Sequence, residues 1–146
     1  MTLPSVEELL PLLQTAIGPE ILISGIGLLL LTMTNRLGRA IDRARSLVSR
    51  LEGSDRGRQE RLRRELAILW RRSQLIRLAI ILSSTSALCA ALLIMVIFTL
   101  ALLNLEGGWL ISGLFIACML TLIGSLIVFI HDINQSLAAL KLEMEE

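Results

Sequence analysis

The residues of this chain that could do chemistry are few, and they do not stand in the combinations that catalysis needs. His131 and Asp132 are neighbours at the end of an apolar run, and the two cysteines, Cys89 and Cys118, lie inside apolar runs. A His–Asp pair requires a nucleophile or a second metal ligand, and the sequence offers neither nearby. Two isolated cysteines and one histidine make no metal site and no disulfide framework. We therefore predict a protein that is not an enzyme and has no cofactor.

Arginines concentrate between residues 35 and 77. This segment holds 13 of the 14 basic residues and five of the 13 acids, although the whole chain has a net charge of only +1. Basic clusters beside a membrane attract anionic lipid. The cluster is either a solvated, ion-paired face or a fixed polar network that locks the base of the segment between the first two spans or binds an anion or a lipid head group. The candidates for this network are Asn35, Arg36, Arg39, Asp42, Arg43, Arg45, Arg71 and Arg72.

Hydroxyl side chains at four consecutive positions, 83–86, suggest a different chemistry. Hydroxyl rings can line an ion pathway, but such hydroxyls more often bond to the carbonyl one helical turn earlier. Glu20 is the acid that could lie at membrane depth, where ionisable groups are usually functional. It follows Pro19 at a predicted helix start, where an interfacial glutamate costs little. The candidates for a pore or an interface are Glu20, Ser83, Ser84, Thr85 and Ser86.

Long apolar runs must position these groups. The chain is 54% hydrophobic, with no charged residue in 78–103 or in 109–130, and about 20 apolar residues span a bilayer as a helix. The uncharged stretch 21–34 is shorter, so we extend the first span to 19–37, with Arg36 and Arg39 reaching the head groups. The sequence thus predicts an all-α integral membrane protein with three transmembrane helices.

The segment between the first two spans has a heptad pattern. Apolar residues alternate at spacings of four and three, which is the seam of a coiled coil, and the stretch 53–57 (Gly-Ser-Asp-Arg-Gly) is typical of a turn. We predict two antiparallel helices, here called the basic hairpin (38–77). Its seam consists of Leu37, Ile41, Ala44, Val48, Leu51, Leu62, Leu66, Leu69, Ser73 and Ile76.

The charge asymmetry predicts the orientation, because short arginine-rich segments stay on the cytoplasmic side. The N-terminus is then outside and the C-terminus is cytoplasmic. The predicted order is an amphipathic interfacial segment outside (1–18), the first span (19–37), the basic hairpin (38–77), the second span (78–103), an outer loop (104–108), the third span (109–130) and a cytoplasmic tail (131–146).

Small residues recur every four positions on the second and third spans, a spacing that allows close helix packing in lipid. They either pack the two spans of one chain together or face another subunit. These residues are Ala79, Ser83, Ala87 and Ala91 on the second span, and Gly113, Ala117, Thr121 and Ser125 on the third.

Residues 23–31 (ISGIGLLLL) and 34–45 (TNRLGRAIDRAR), with Arg71-Arg72 ahead of the second span, resemble the signature of domain-of-unknown-function family 2721. The resemblance covers residues 15–142 or so. It implies a small protein of the bacterial cytoplasmic (inner) membrane with three spans, and it implies no activity. Family members often carry Glu near the end of the third span, where this chain has Asp132, and we assign that position no role.

The function that these observations favour is a self-associating scaffold or accessory subunit, whose basic hairpin contacts a partner membrane protein or anionic lipid on the cytoplasmic side. The alternative is a homo-oligomeric ion channel that the arginines bias toward anions. Nucleic-acid binding fits the charge, but the orientation rule already accounts for the arginines.

Overall fold

Three long α-helices make up the part of the chain that a computed structural model describes, residues 6–51 and 56–144, and this part contains no strand. The helices are α1 (Val6–Leu51), α2 (Arg56–Leu103) and α3 (Gly108–Met144). Each contains a stretch long and apolar enough to cross a membrane. The prediction of an all-helical fold with three helices long and apolar enough to span a membrane is confirmed for these residues. The predicted turn at 53–57 lies mostly outside the described residues.

α1 runs without interruption through Pro11 and Pro19. The sequence predicted a separate amphipathic helix ahead of Pro19, whereas in the structure the residues from Val6 onward are the first turns of α1. Proline is tolerated inside transmembrane helices because neighbouring groups take over the hydrogen bonds that it frees. The position of these first turns at the outer interface stays a prediction.

The link between α2 and α3 closes α2 with a Schellman motif. The amide of Leu105 donates to the carbonyl of Leu100 at 3.0 Å, and the amide of Asn104 donates to the carbonyl of Ala101 at 3.3 Å. Asn104 has a φ of 49°, the left-handed conformation that this motif requires at the residue after the helix. The amides of Leu110 and Ile111 then donate to the carbonyl of Gly107, the residue immediately before α3.

The chain folds as two compact units, one of residues Met1–Leu30 with Leu82–Ile123, the other of Leu31–Ile81 with Gly124–Glu146. In the second unit Met33, Ile76 and Ala79 form a buried cluster, against which Leu37, Ile80, Val128 and Phe129 pack. The buried residues of the first unit include Ile26, Ala90, Leu93 and Cys118.

Heptad spacing governs which residues are buried. On α3 the buried residues Cys118, Ser125 and Asp132 lie seven apart. An average spacing of 3.5 residues keeps a position facing the same neighbour along a helix. On α2 the buried residues alternate at spacings of three and four from Ile76 onward: Ile76, Ala79, Ser83, Ser86, Ala90, Leu93 and Ile97.

Candidate functional site

A fully buried carboxylate lies in the second unit. Asp132 has a relative exposure of 0%, and it is the one charged side chain in the buried set of the described residues. It occupies a core position of α3 because it follows the buried Ser125 by one heptad. Burial of a charge is costly unless an opposite charge compensates it. The surroundings of Asp132 therefore determine what this part of the molecule can do.

Two arginines from the other two helices flank this carboxylate. Nη2 of Arg36 on α1 lies 3.8 Å from Oδ2 of Asp132, and Nε of Arg72 on α2 lies 3.8 Å from Oδ1. Both distances exceed the 2.7–2.9 Å of a direct charge-assisted hydrogen bond. At these two contacts the carboxylate and each guanidinium therefore interact as an ion pair. The guanidinium of Arg36 also stacks over the ring of Phe129, 5.4 Å from its centroid. One carboxylate thus links α3 electrostatically to both α1 and α2.

The same two arginines line a cavity of about 220 Å³. We call this space the arginine cavity; it is lined by Arg36, Arg39, Ala40, Arg43, Leu69, Arg72 and Ile76. Arg39 and Arg43 follow Arg36 by about one and two turns of α1, which puts all three on one face of the helix. The apolar lining residues Leu69 and Ile76 are buried, with exposures of 6% and 2%.

The charges around the arginine cavity do not cancel. Arg43 pairs with Glu65 through an Nη2–Oε1 contact of 3.0 Å, and Asp132 faces Arg36 and Arg72. Within the part of the chain whose side chains are described, the four lining guanidiniums therefore have two carboxylates in ion-pair contact with them. Among the described contacts the guanidiniums outnumber the carboxylates by two, which makes the site suitable for an anion.

The structure brings together four of the eight residues predicted for a polar network, namely Arg36, Arg39, Arg43 and Arg72. Asn35, Asp42 and Arg71 are exposed and do not line the arginine cavity. Arg45 lines a different depression of about 670 Å³. The binding role of the whole set stays a prediction.

This second depression, here called the apolar groove, exposes part of the predicted coiled-coil seam. Leu37, Ile41, Ala44, Val48 and Leu66 line it together with Trp70. Ile41, Val48 and Trp70 are 40%, 46% and 69% exposed, whereas Leu69 and Ile76 of the same seam are buried. The groove is therefore a sizeable apolar surface with Arg45 and Arg77 among its lining residues.

The small residues of α2 and α3 make hydrogen bonds between these helices. In the first unit, Oγ of Ser86 donates to the carbonyl of Cys118 at 2.9 Å. In the second unit, Oγ of Ser125 donates to the carbonyl of Ala79 at 2.8 Å. Hydrogen bonds between helices in a membrane contribute about 0.6 kcal/mol each on average.

The other members of the two small-residue stripes lie in varied surroundings. Ser83 is buried, Ala87, Ala117 and Thr121 are half-buried, and Ala91 and Gly113 are exposed. A repeat of four residues advances by 400° per step, so it rotates out of a contact that a 3.5-residue repeat maintains. A contact between the exposed members and another subunit stays a prediction.

The pore candidates separate into two groups. Ser83 and Ser86 are buried, whereas Ser84, Thr85 and Glu20 are exposed on the single chain. The buried pair belongs to the helix core, so a pore between copies would depend on the exposed three. Within residues 6–51 and 56–144, no group of three or more His, Cys, Asp or Glu side chains is placed to hold a metal ion.

Sequence reasoning missed Asp132, although a signal for it was present. Asp132 stands one heptad after Ser125 and two after Cys118. The same spacing of seven residues separates their partners on α2, which runs antiparallel: Ser86, Ala79 and Arg72. The contacts Ser86–Cys118, Ala79–Ser125 and Arg72–Asp132 follow this common register. A search for acids in phase with the small-residue core would have found the site.

Comparison with known protein families gave a match. The model of a family described as a protein of unknown function, DUF2721, matches residues 16–142. No curated protein matches the chain. No solved structure matches it either.

Proposed function

The chain belongs to DUF2721, a family of unknown function, and we propose that it is a non-enzymatic scaffold or accessory protein of the membrane that holds the head group of an anionic lipid at the base of its basic hairpin. The observation that carries this proposal is the arginine cavity, where four guanidiniums face two paired carboxylates. The remaining positive charge attracts an anion, and a membrane surface supplies anions at high local concentration.

The sequence positions of the lining residues suit this role. Arg36 follows the apolar stretch of α1 and Arg72 precedes that of α2, so both are placed near the predicted cytoplasmic head-group region. Arginine side chains in such positions extend toward the interface. The guanidinium fork also binds phosphate oxygens with two parallel hydrogen bonds, which a lysine cannot do.

Native mass spectrometry of the full-length protein released from nanodiscs tests the proposal. With equal amounts of phosphatidylglycerol and phosphatidylcholine of the same acyl chains, we expect retained lipid to be mostly phosphatidylglycerol. The double variant Arg39→Gln/Arg43→Gln should lose most of this selectivity. The matched variant Arg58→Gln/Arg61→Gln removes the same charge from exposed positions outside the cavity and should keep it. Equal retention of the neutral lipid by the unaltered protein would refute the proposal.

A second candidate function, self-association through the apolar groove, is favoured by the exposure of Ile41 and Val48. A coiled-coil seam that is open on one copy can be buried by the seam of another. Val48→Asp should then shift the protein toward monomers in native mass spectrometry. Ile68→Asp, at an equally apolar position that is 61% exposed and does not line the groove, should not. If the unsubstituted protein is already a monomer in native mass spectrometry, self-association through the apolar groove is contradicted.

The channel alternative has weaker support, because it relies on Ser84, Thr85 and Glu20 facing a pore that several copies enclose. A closed ring of four or more copies with bilayer conductance would support it. A monomer or dimer without conductance would argue against it.

A further inference from the structure

From the arginine cavity we infer that the bound anion is a phosphate monoester carrying two negative charges, rather than a singly charged phosphodiester. This inference rests on the proposed function and specifies its ligand. The shared chemistry is a terminal phosphate group, which either a lipid head group or free phosphate can supply.

Charge is the first argument. Arg36, Arg39, Arg43 and Arg72 line the cavity, and Asp132 and Glu65 are the carboxylates in ion-pair contact with them. Among these described side chains the guanidiniums outnumber the carboxylates by two. A phosphate monoester carries about 1.5 to 2 negative charges at neutral pH, and a diester carries one, so the monoester alone comes close to neutralising the site.

The arrangement of the guanidiniums is the second argument. Asp132 is fully buried and faces both Arg36 and Arg72, and Arg36 is further held by its stacking on Phe129. These contacts position two of the four arginines before any ligand arrives, which lowers the entropy cost of binding. Asp132 is therefore a positioning residue that does not itself bind the anion.

Size is the third argument. The cavity volume of about 220 Å³ is below the 300–1,000 Å³ typical of sites for drug-sized ligands. A terminal phosphate exposes three oxygens for hydrogen bonds, so several of the four guanidiniums can each find an acceptor. A phosphodiester group uses two of its oxygens in ester bonds and offers fewer charged acceptors.

A competition between two lipids tests the inference. The full-length protein is equilibrated in micelles that contain phosphatidate, a monoester, and phosphatidylglycerol, a diester, with identical acyl chains, and the retained lipid is counted by native mass spectrometry. A second mixture doubles the phosphatidylglycerol to equalise surface charge. We expect phosphatidate to be preferred about tenfold in both mixtures, which corresponds to one additional charge-assisted hydrogen bond.

Variants connect this preference to the cavity. Arg39 and Arg43 are exposed, so Arg39→Gln/Arg43→Gln leaves the buried Asp132 group intact and should abolish the preference. Arg58→Gln/Arg61→Gln should retain it. Equal retention of the two lipids at matched charge, or a preference that survives the cavity variant, overturns the inference. Selectivity for both anionic lipids over phosphatidylcholine would still leave the proposed function standing.

Inorganic phosphate then identifies the source of the group. If millimolar inorganic phosphate displaces phosphatidate and binds to the lipid-free protein, the site takes the free ion. If phosphatidate remains bound, the site takes the lipid head group. Either result supports a phosphate monoester in the arginine cavity.

Discussion

At the scale of single residues, Asp132 has the greatest influence on the site. It is buried and lies between Arg36 and Arg72, so it offsets the repulsion between two guanidiniums that come from different helices. The two arginines keep part of their solvent contact, with side-chain exposures of 23% and 29%. Loss of the carboxylate therefore lowers the free energy of unfolding by less than it would in a fully enclosed ion pair.

We expect Asp132→Asn to destabilise the protein by about 1–3 kcal/mol, at or below the lower end of the range for breaking a buried ion pair. The substitution keeps the side-chain size and removes the charge. Unfolding of the protein in mixed detergent micelles measures the change. Asp42→Asn, at an exposed position of α1, is the control and should change stability by less than about 0.5 kcal/mol. Equal effects of the two substitutions would show that Asp132 has no special electrostatic role.

At the scale of secondary-structure elements, the link between α2 and α3 depends on one backbone conformation. The positive φ of Asn104 allows the amides of Asn104 and Leu105 to reach the last carbonyls of α2. Asparagine and glycine adopt this conformation more easily than other residues do. The link is therefore sensitive to the residue type at position 104. This sensitivity comes from the backbone conformation and not from burial, since all residues of the link are exposed or half-buried.

Asn104→Val should destabilise the protein by about 1–2 kcal/mol, because a β-branched side chain is strained at positive φ. Asn104→Gly should leave stability unchanged or raise it slightly. The same detergent unfolding assay distinguishes the two variants. A valine variant as stable as the glycine variant would mean that the link does not keep this conformation in the membrane.

At the scale of the whole molecule, the arginines set the expected orientation. The basic hairpin, which is predicted to be cytoplasmic, contains 12 arginines, whereas the outer loop contains Glu106 and no basic residue. Short basic segments beside transmembrane helices stay on the cytoplasmic side of the membrane. The proposed lipid site then faces the leaflet whose anionic lipids give it a negative surface potential.

Cysteine labelling checks this orientation. In intact cells a membrane-impermeant thiol reagent should label Glu106→Cys and should label Gly57→Cys only after the cells are opened. Both positions are exposed in the structure. The native Cys89 and Cys118 lie in the apolar spans, so the unaltered protein provides the background. Labelling of Gly57→Cys in intact cells would reverse the predicted topology.

The sequence alone determined the helical class and the three spans. Runs such as 78–103 and 109–130 are long enough to cross a bilayer, and lipid offers their backbone no other hydrogen-bond partners. The sequence also pointed to four arginines of the cavity as part of a larger candidate set. These conclusions depend only on composition and on the spacing of nearby residues, and both can be read from one segment of the chain without knowing what packs against it.

The tertiary structure decided which of those residues meet. Asp132 is 60 positions from Arg72 and 96 from Arg36 in the chain, and their proximity depends on the register between the three helices. That register follows from packing at heptad positions such as Ala79 and Ser125, where a shift of one residue would rotate the buried face by about 100°. Local patterns do not specify packing across helices, so only the folded chain showed that Asp132 is buried between two arginines.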